Sequence, residues 1–510
     1  MKGRTYAQST AHHRPIAVAA CVGLLLILLA AGGEAVAAPV TVTNGVQFTD
    51  TAGNVVRGHD GGMIKVGKYY YWFGANPHPD NRFQYISVYR STDLHAWEFR
   101  KHVLTETSAS GVKNLQRPKV IYNSRTGQYV LFMRKENHPF PLKENRVGIA
   151  TSPTVDGDYT YRGDFQPLGE RSFDVSVFQD DDRDRTAYLI STTGTGDEEQ
   201  QQQQQNLTIY RLTPDYLEVA AREHVFYNVK REAQTMFKRN GVYFLVTSGL
   251  TGWHPNQAKY ATATSIKGPW SGMANLGDST TYGSQPTYIL PIQGSSTTSY
   301  LYMGDRHGNA WHGNINDSEH VWLPLQFPTD RSLSMRWHPQ VSIDTTTGEV
   351  SGVGSGHAYE QLRAQHKDEC LAVRRFTDGP LLEDEDSRGD GVGVTQRPCG
   401  TAVASNQHWQ VLHLGAGYYR IVARHSHKCL TVPSSSTADN ARVSQAPCGT
   451  GENQQWKITG LPEGNFQITA RHSGKCLTIA YDPATEGPKA IQFTCSGTAN
   501  QRWKRAGAPY

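Results

Sequence analysis

Cysteine is missing between Cys21 and Cys370, so no disulfide can brace the first two thirds of the chain. Basic clusters interleaved with aromatics are absent as well. With a net charge of only +4 over 510 residues, this argues against nucleic acid as a partner. Only one long apolar run exists, Ile16 to Ala31, and it is short for a membrane span. It follows Lys2, Arg4 and Arg14 and precedes Ala35-Val36-Ala37, so residues 1–37 read as a secretory signal peptide. Cys21 lies ahead of the leucine run rather than at its end, which argues against a lipid-modified cysteine. An extracellular protein with no membrane association after cleavage is expected. What remains, at 37% hydrophobic and 10% aromatic residues, is globular and long enough for two or three domains.

The first of these is repetitive. Strand-like runs that begin at a tyrosine recur at Tyr70 (YYWFG), Tyr129 (YVLFM), Tyr188 (YLIST), Tyr243 (YFLVT) and Tyr300 (YLYMG), at spacings of 59, 59, 55 and 57. Each is the second strand of a hairpin, the clearest being Gln234 to Phe237, a turn at Lys238 to Gly241, and Val242 to Thr247. Further strand signals at Ile86–Arg90, Val147–Thr151, Leu207–Leu212, Lys259–Thr264 and Val321–Phe327 bring each unit to about four strands. Repeats of this length and content are the signature of a propeller, and five copies predict a five-bladed one over residues 38–350. The stretch from Thr193 to Gln205, ending in a glutamine run, reads as a solvated insertion. Ser351 to Gly356 reads as a glycine-serine linker.

The repeat also locates the chemistry. Ten to fifteen residues before each anchor tyrosine, at the start of each first strand, stand Asp60, Gln116 with Arg117, Asp174, Glu232 and Gln285. If the first strands are innermost, these groups converge at one end of a central channel. Paired carboxylates in a cleft of that size suit glycosidic cleavage, one protonating the leaving oxygen while the other activates water or attacks. Trp253, just after the Glu232 hairpin, is a candidate stacking platform for a sugar.

From His357 to Tyr510 a second array takes over. Gln407-His408-Trp409, Gln454-Gln455-Trp456 and Gln501-Arg502-Trp503 recur at intervals of 47 and 47, each after a Cys-Leu start and a second cysteine. Six cysteines allow many connectivities. Equivalent units should close equivalent loops, which selects Cys370 with Cys399, Cys429 with Cys448 and Cys476 with Cys495. Loops of about 20 residues would stabilise by roughly 3 kcal/mol each. The first loop is longer and carries the acidic insert Glu383 to Asp386.

Three Gln-x-Trp repeats with paired cysteines resemble the ricin-type β-trefoil of family 13 carbohydrate-binding modules. In that family an aspartate after Cys-Leu and an aromatic before the second cysteine mark the sugar sites. Here Ala372, Thr431 and Thr478 stand at the first position and Arg397, Ala446 and Phe493 at the second, leaving Phe493 in the third repeat as the candidate contact. The strings NGVQFTDTAGNVV, VYRSTDLHAWEFR, RPKVIYNSRTGQYV, FQDDDRDRTAYLIS, REAQTMFKRNGVYFLVTSGLTGWHPNQAKYATA and GSQPTYILP make the propeller similar to glycoside hydrolase family 43, in its exo-β-1,3-galactanase branch.

The resemblance implies that Glu232 is the general acid and that Asp174 raises its pKa and orients it. Gln285 matches a glutamine that positions water. After His59, where galactanase relatives have glycine, Asp60 matches the basic aspartate of the wider family, which implies an inverting hydrolase with Asp60 as base and His59, Gln116, Arg117, Gln285 and Trp253 around the substrate. Three departures are Gln116 where relatives have glutamate, Gln234 where they have proline and Pro286 where they have serine. Some family members carry a structural calcium, for which His307, His312 and His338 are candidates; otherwise no cofactor is expected. A galactose- or arabinose-containing plant polysaccharide is the expected partner and a monomer the expected state. The rival expectations are a non-catalytic carbohydrate-binding protein on this scaffold and an arabinofuranosidase or xylosidase of the same family.

Overall fold

The anchor tyrosines fall at the start of strands that are paired on both sides and buried almost throughout, which is why these segments read as continuous β-branched and aromatic runs rather than alternating ones. The computed structural model describes residue 1 and residues 38–508, except 110, 137–144, 195–204, 312, 375–384, 401–403 and 483–486. The signal-peptide segment after residue 1, the glutamine run up to residue 204, half of the acidic insert and His312 therefore lie outside the described residues.

Among the described residues, all regular structure is β apart from short 3-10 turns. Four antiparallel sheets each contain four strands in chain order. The first is His59–Val66, Tyr69–Asn76, Tyr85–Ser91 and Glu98–Thr105; the second is Asn114–Asn123, Gln128–Glu136, Arg146–Ser152 and Thr160–Phe165. The third is Arg171–Gln179, Ala187–Gly194, Gln205–Leu212 and Val219–Phe226; the fourth is Arg231–Arg239, Val242–Gly249, Ala258–Ala263 and Ala274–Leu276. A fifth sheet has three strands, Gln285–Gln293, Thr298–Arg306 and Glu319–Pro324. First strands pack on first strands around the array, and the last returns to the first, so they surround a common axis. Val40–Thr43 pairs with Gln340–Ile343, tying the start of the domain to its end. Apolar clusters lie between successive sheets, such as Tyr71, Phe73, Leu131 and Met133 between the first two.

Three sequence expectations shift. The strand expected over Val321–Phe327 breaks at Leu325 into Glu319–Pro324 and Gln326–Thr329. Ser351 to Val353 are not linker: Val350–Val353 pairs with Gln340–Ile343, so only Gly354 to Gly356 remain as connection. Glu232 lies within its strand, Arg231–Arg239, rather than ahead of it.

The C-terminal array forms a second core around Trp409, Trp456 and Trp503, all fully buried. Each indole Nε1 donates to the carbonyl of the leucine after the first cysteine of its repeat, Leu371, Leu430 or Leu477. Each Gln of Gln-x-Trp accepts from the backbone N–H just after the second cysteine, at Gly400, Gly449 and Ser496. That is the physical reason the two motifs travel together. The disulfides are Cys370–Cys399, Cys429–Cys448 and Cys476–Cys495, as the repeat selects. The two arrays meet at a packed seam. Arg306, with its side chain fully buried, donates to Gln410 at 2.9 Å, and Trp311 stacks on His427 at 3.4 Å between ring centroids.

Candidate active site

Every first strand loses register near its start: between His59 and Gly62, Gln116 and Lys119, Ser172 and Val175, Glu232 and Thr235, and Pro286 and Tyr288. A bulge places extra residues against the partner strand and re-aims their side chains, a device common beside active sites. Asp60, Arg117 and Ala233 occupy the same bulge position and share a left-handed backbone, with φ of 55°, 57° and 50°. The functional side chains are therefore not at one equivalent point, as the repeat alone suggested. Glu232, Gln285, Gln116 and His59 stand before the bulge, Asp60 and Arg117 at its first residue, and Asp174 at its second.

Arg117 is the hub. Its guanidinium lies 3.2 Å from Asp60 Oδ1 and 3.0 Å from Asp174 Oδ2, and donates to Gln285 Oε1 at 2.5 Å. The Gln285 amide in turn donates to Glu232 Oε1 at 3.1 Å and accepts from His307 Nε2 at 3.2 Å, with the imidazole taken as donor. Trp253 packs edge-on over His307 at 4.8 Å between centroids and is half-buried, so an aromatic surface flanks the cluster. Five segments far apart in sequence thus meet within hydrogen-bond range of one another.

Sequence reasoning did not single out Arg134 and Asp305. Arg134 Nη1 donates to Asp174 Oδ1 at 2.9 Å, and Asp305 accepts from the Asp60 backbone N–H at 2.6 Å and from His320 Nδ1 at 2.8 Å. Both stand on second strands opposite the pre-bulge residues Gln116 and Gln285, five positions after an anchor tyrosine, so the repeat could have found them. Gln234 accounts for one departure from the family pattern: its amide donates to the Asp174 carbonyl and to the Ile190 carbonyl, steadying the strand that carries Asp174.

The electrostatics separate the carboxyls. Burial raises the Glu232 pKa to about 8, with the neighbouring Asp174 charge adding to the effect. Burial opposes ionisation of Asp174 too, but Arg117, Arg134 and the Ala233 N–H, which donates to Oδ2 at 3.0 Å, hold it below the usual carboxylate range. One carboxyl is thus kept as an acid beside one kept as an anion. Burial pushes Lys119 down to about 7, and its Nζ donates to the Asp60 carbonyl.

Some expected contacts fall elsewhere. His59 is fully buried and stacks near His320, so it is not a surface contact for a sugar; burial lowers its pKa to about 3. His338 is bonded to the Gly354 carbonyl at the seam and does not join His307. Asp60, Asp305 and His307 bring ligand-type atoms within 4.8 Å of one another, yet Arg117 lies against Asp60 and His320 against Asp305. Calcium takes six to eight oxygens, so this ion-paired cluster does not fit it. Gln116 is half-buried opposite Arg134, and Phe493 closes the third trefoil hairpin opposite Cys476.

A buried glutamate held towards its acid form beside an aspartate held as an anion, on neighbouring first strands of the propeller, is the pairing that acid-catalysed glycoside hydrolysis uses. The chain belongs to glycosyl hydrolases family 43: that family's description matches residues 53–288, and a ricin-type β-trefoil lectin-like domain matches residues 405–493 and 461–509. Among solved structures, an exo-β-1,3-galactanase from Clostridium thermocellum is 38% identical over 91% of this chain and 99% of its own, with a TM-score of 0.59. An exo-β-1,3-galactanase variant from Phanerochaete chrysosporium, bound to β-1,3-galactotriose, is 26% identical over 91% and 92%, with a TM-score of 0.57. A family 43 β-1,3-galactosidase bound to galactodeoxynojirimycin is 28% identical over 58% of this chain and 99% of its own, with a TM-score of 0.52. No curated protein matches the chain. The protein is a galactanase-like glycoside hydrolase carrying a C-terminal β-trefoil.

Proposed function

We propose that the protein is a secreted enzyme that hydrolyses β-1,3-linked galactan of the arabinogalactan type with inversion, on a five-bladed propeller. The observation that carries this reading is the raised pKa of Glu232 beside ionised Asp174. Glu232 donates its proton to the leaving glycosidic oxygen, and burial, with the Asp174 charge beside it, keeps that proton in place at neutral pH until the transition state takes it. On the water side, Asp60 is the base and Gln285 fixes the approach, because the Gln285 amide bridges Glu232 to the Arg117 that also holds Asp60. Trp253 offers the sugar an apolar face. The signal-peptide pattern of residues 1–37 and the three disulfides favour an extracellular enzyme, whose trefoil holds it on polysaccharide.

The test is sugar release from β-1,3-galactan, arabinogalactan, arabinan and xylan by the wild type, Glu232→Gln and Asp60→Asn, with the product anomer followed by NMR. Release of galactose in the inverted anomer, lost in both variants, is expected. Retention of configuration, or full activity in Asp60→Asn, would remove Asp60 from the mechanism. Wild-type binding without release on any of the glycans would replace hydrolysis with recognition alone.

A further inference from the structure

Asp60 is held by its backbone as well as by its carboxylate. The bulge of its strand pairs His59 with Ala75 and Gly62 with Phe73, which leaves Asp60 and Gly61 outside the ladder. A residue other than glycine at φ 55° is strained, and persists there only when its surroundings hold it. Two side chains from other sheets do so. Asp305, on the second strand of the fifth sheet, accepts from the Asp60 N–H at 2.6 Å, and Lys119, on the first strand of the second sheet, donates to the Asp60 carbonyl at 2.6 Å. Opposite charges thus grip the two ends of one buried residue.

Lys119 reaches Asp60 because Gly62 lets it pass. Gly62, Lys119, Val175, Thr235 and Tyr288 are the first residues back in register after the five bulges, so they form the next layer along the first strands. A Cβ at Gly62 would lie 2.6 Å from Lys119 Cδ and 3.4 Å from Tyr288 Cδ2. The lysine stem therefore crosses from the second sheet to the first through the space that a side chain at 62 would fill. Its ammonium is buried, and the acceptor it reaches is a carbonyl rather than a carboxylate. Burying a charge in this way costs stability, as the pKa lowered to about 7 by burial records. Folding alone does not account for a lysine here.

We propose that Lys119 is a positioning residue for the hydrolysis: by holding the Asp60 carbonyl it fixes the left-handed backbone that aims the Asp60 carboxylate at Arg117 and at the attacking water. The inference rests on Asp60 being the base. Asp60 Oδ1 lies 3.2 Å from Arg117 and 3.7 Å from His307 Nε2, and a side chain as short as aspartate follows its backbone, so these contacts hold only while the Asp60 peptide does. Moving a catalytic group by about 1 Å can lower a rate by about a hundredfold. Lys119 touches neither sugar nor water in this role; it acts through Asp60.

The test compares kcat, KM and thermal melts of the wild type, Lys119→Met, Asp60→Asn and the double variant, on the glycan from which the wild type releases sugar. Methionine keeps the stem while dropping the donor and the buried charge, so Lys119→Met should fold and melt close to the wild type. Its kcat should fall by roughly a hundredfold with KM little changed. In the Asp60→Asn background the same substitution should lower kcat less than about twofold, because what it disturbs is already gone. Lys119→Gln, with a shorter stem, goes through the same cycle, so that the result does not depend on one variant folding. Full kcat in the Lys119 variants, a loss confined to KM, or equal losses with and without the Asp60 carboxylate would overturn the proposal and leave Asp60 as the base. Full activity in Asp60→Asn would overturn the proposal together with the reading it rests on.

Discussion

Gln285 Nε2 donates to Glu232 Oε1 at 3.1 Å while the Oε1 of the same amide accepts from Arg117 at 2.5 Å, so a neutral side chain links the acid to the cation that organises the site. An amide is suited to this because it donates to one partner while accepting from the other; a carboxylate there could not donate to Glu232. Replacing Gln285 by leucine should lower kcat by roughly a hundredfold, in line with the loss of one preorganised donor, and should move the pH profile because Glu232 loses its partner. An unchanged profile with only KM raised would mean that Gln285 merely touches substrate.

The pH profile itself follows from the two carboxyls. Glu232 acts as an acid only while protonated, and its pKa is raised to about 8, so activity should be present below that pH and be lost as pH rises through it. Asp174→Asn removes the anion that helps raise the pKa and leaves Arg117 and Arg134 without their shared partner. Both changes favour the ionised glutamate, so the alkaline limb should move to lower pH in this variant. Measured kcat/KM against pH decides: a limb that stays in place, or moves upward, would contradict the assignment of Asp174.

Acid stability gives a prediction that needs no substrate. Asp174 and Asp305 are held below the usual carboxylate range; burial opposes this, but Arg117 and Arg134 around the first and His320 at the second override it. His59 is lowered from 6.5 to about 3, principally by burial. In each case the unfolded chain binds protons at a pH where the folded one does not. The His59 contribution is present above about 6.5 and is lost as pH falls towards 3; the aspartate contributions are lost from about 4 downward. Glu232, raised to about 8, works the other way and offsets part of this as pH falls, while His408, likewise lowered to about 3 by burial, adds to it, so a net decline of the urea midpoints from about pH 7 to pH 4 is expected. His59→Phe, which cannot titrate, should flatten the upper part of that decline.

Much of this was legible in the sequence, for definable reasons. The anchor tyrosines begin strands buried on both faces, so their apolar runs survive as a period that the eye can find. The trefoil was legible because each buried tryptophan must reach the same carbonyl. The bulges were not. A register shift leaves no composition signal when the left-handed residues are Asp60, Arg117 and Ala233 rather than glycine, so the site looked like one row of five groups instead of three staggered positions. Arg134 and Asp305 were hidden because second strands read as core. Ser351 to Val353 read as linker because serine and glycine mask the pairing of Val350–Val353 with Gln340–Ile343.

The seam between propeller and trefoil is the place where stability should be most sensitive to a single side chain. Arg306 is fully buried there, flanked by Trp337 and Tyr359, and donates to the Tyr282 carbonyl at 2.9 Å and to Gln410 at 2.9 Å, with Glu319 at 3.6 Å. Gln410 passes the link on by donating to the Gly45 carbonyl at 3.0 Å. Arg306→Met keeps much of the volume but leaves the Tyr282 carbonyl and Gln410 without their donor and Glu319 with only His427, at 3.4 Å, as a partner among the described residues, and breaking a buried pair in this way costs about 3–5 kcal/mol. Gln410→Leu removes the trefoil's half of the bond. If the two residues act through each other, the double variant should be less destabilised than the sum of the singles by roughly 0.5–3 kcal/mol. Chemical denaturation of all four proteins measures this coupling. Additive losses would mean that Arg306 serves the propeller alone and that the trefoil is held by other contacts, of which the stack of Trp311 on His427 is the next to remove.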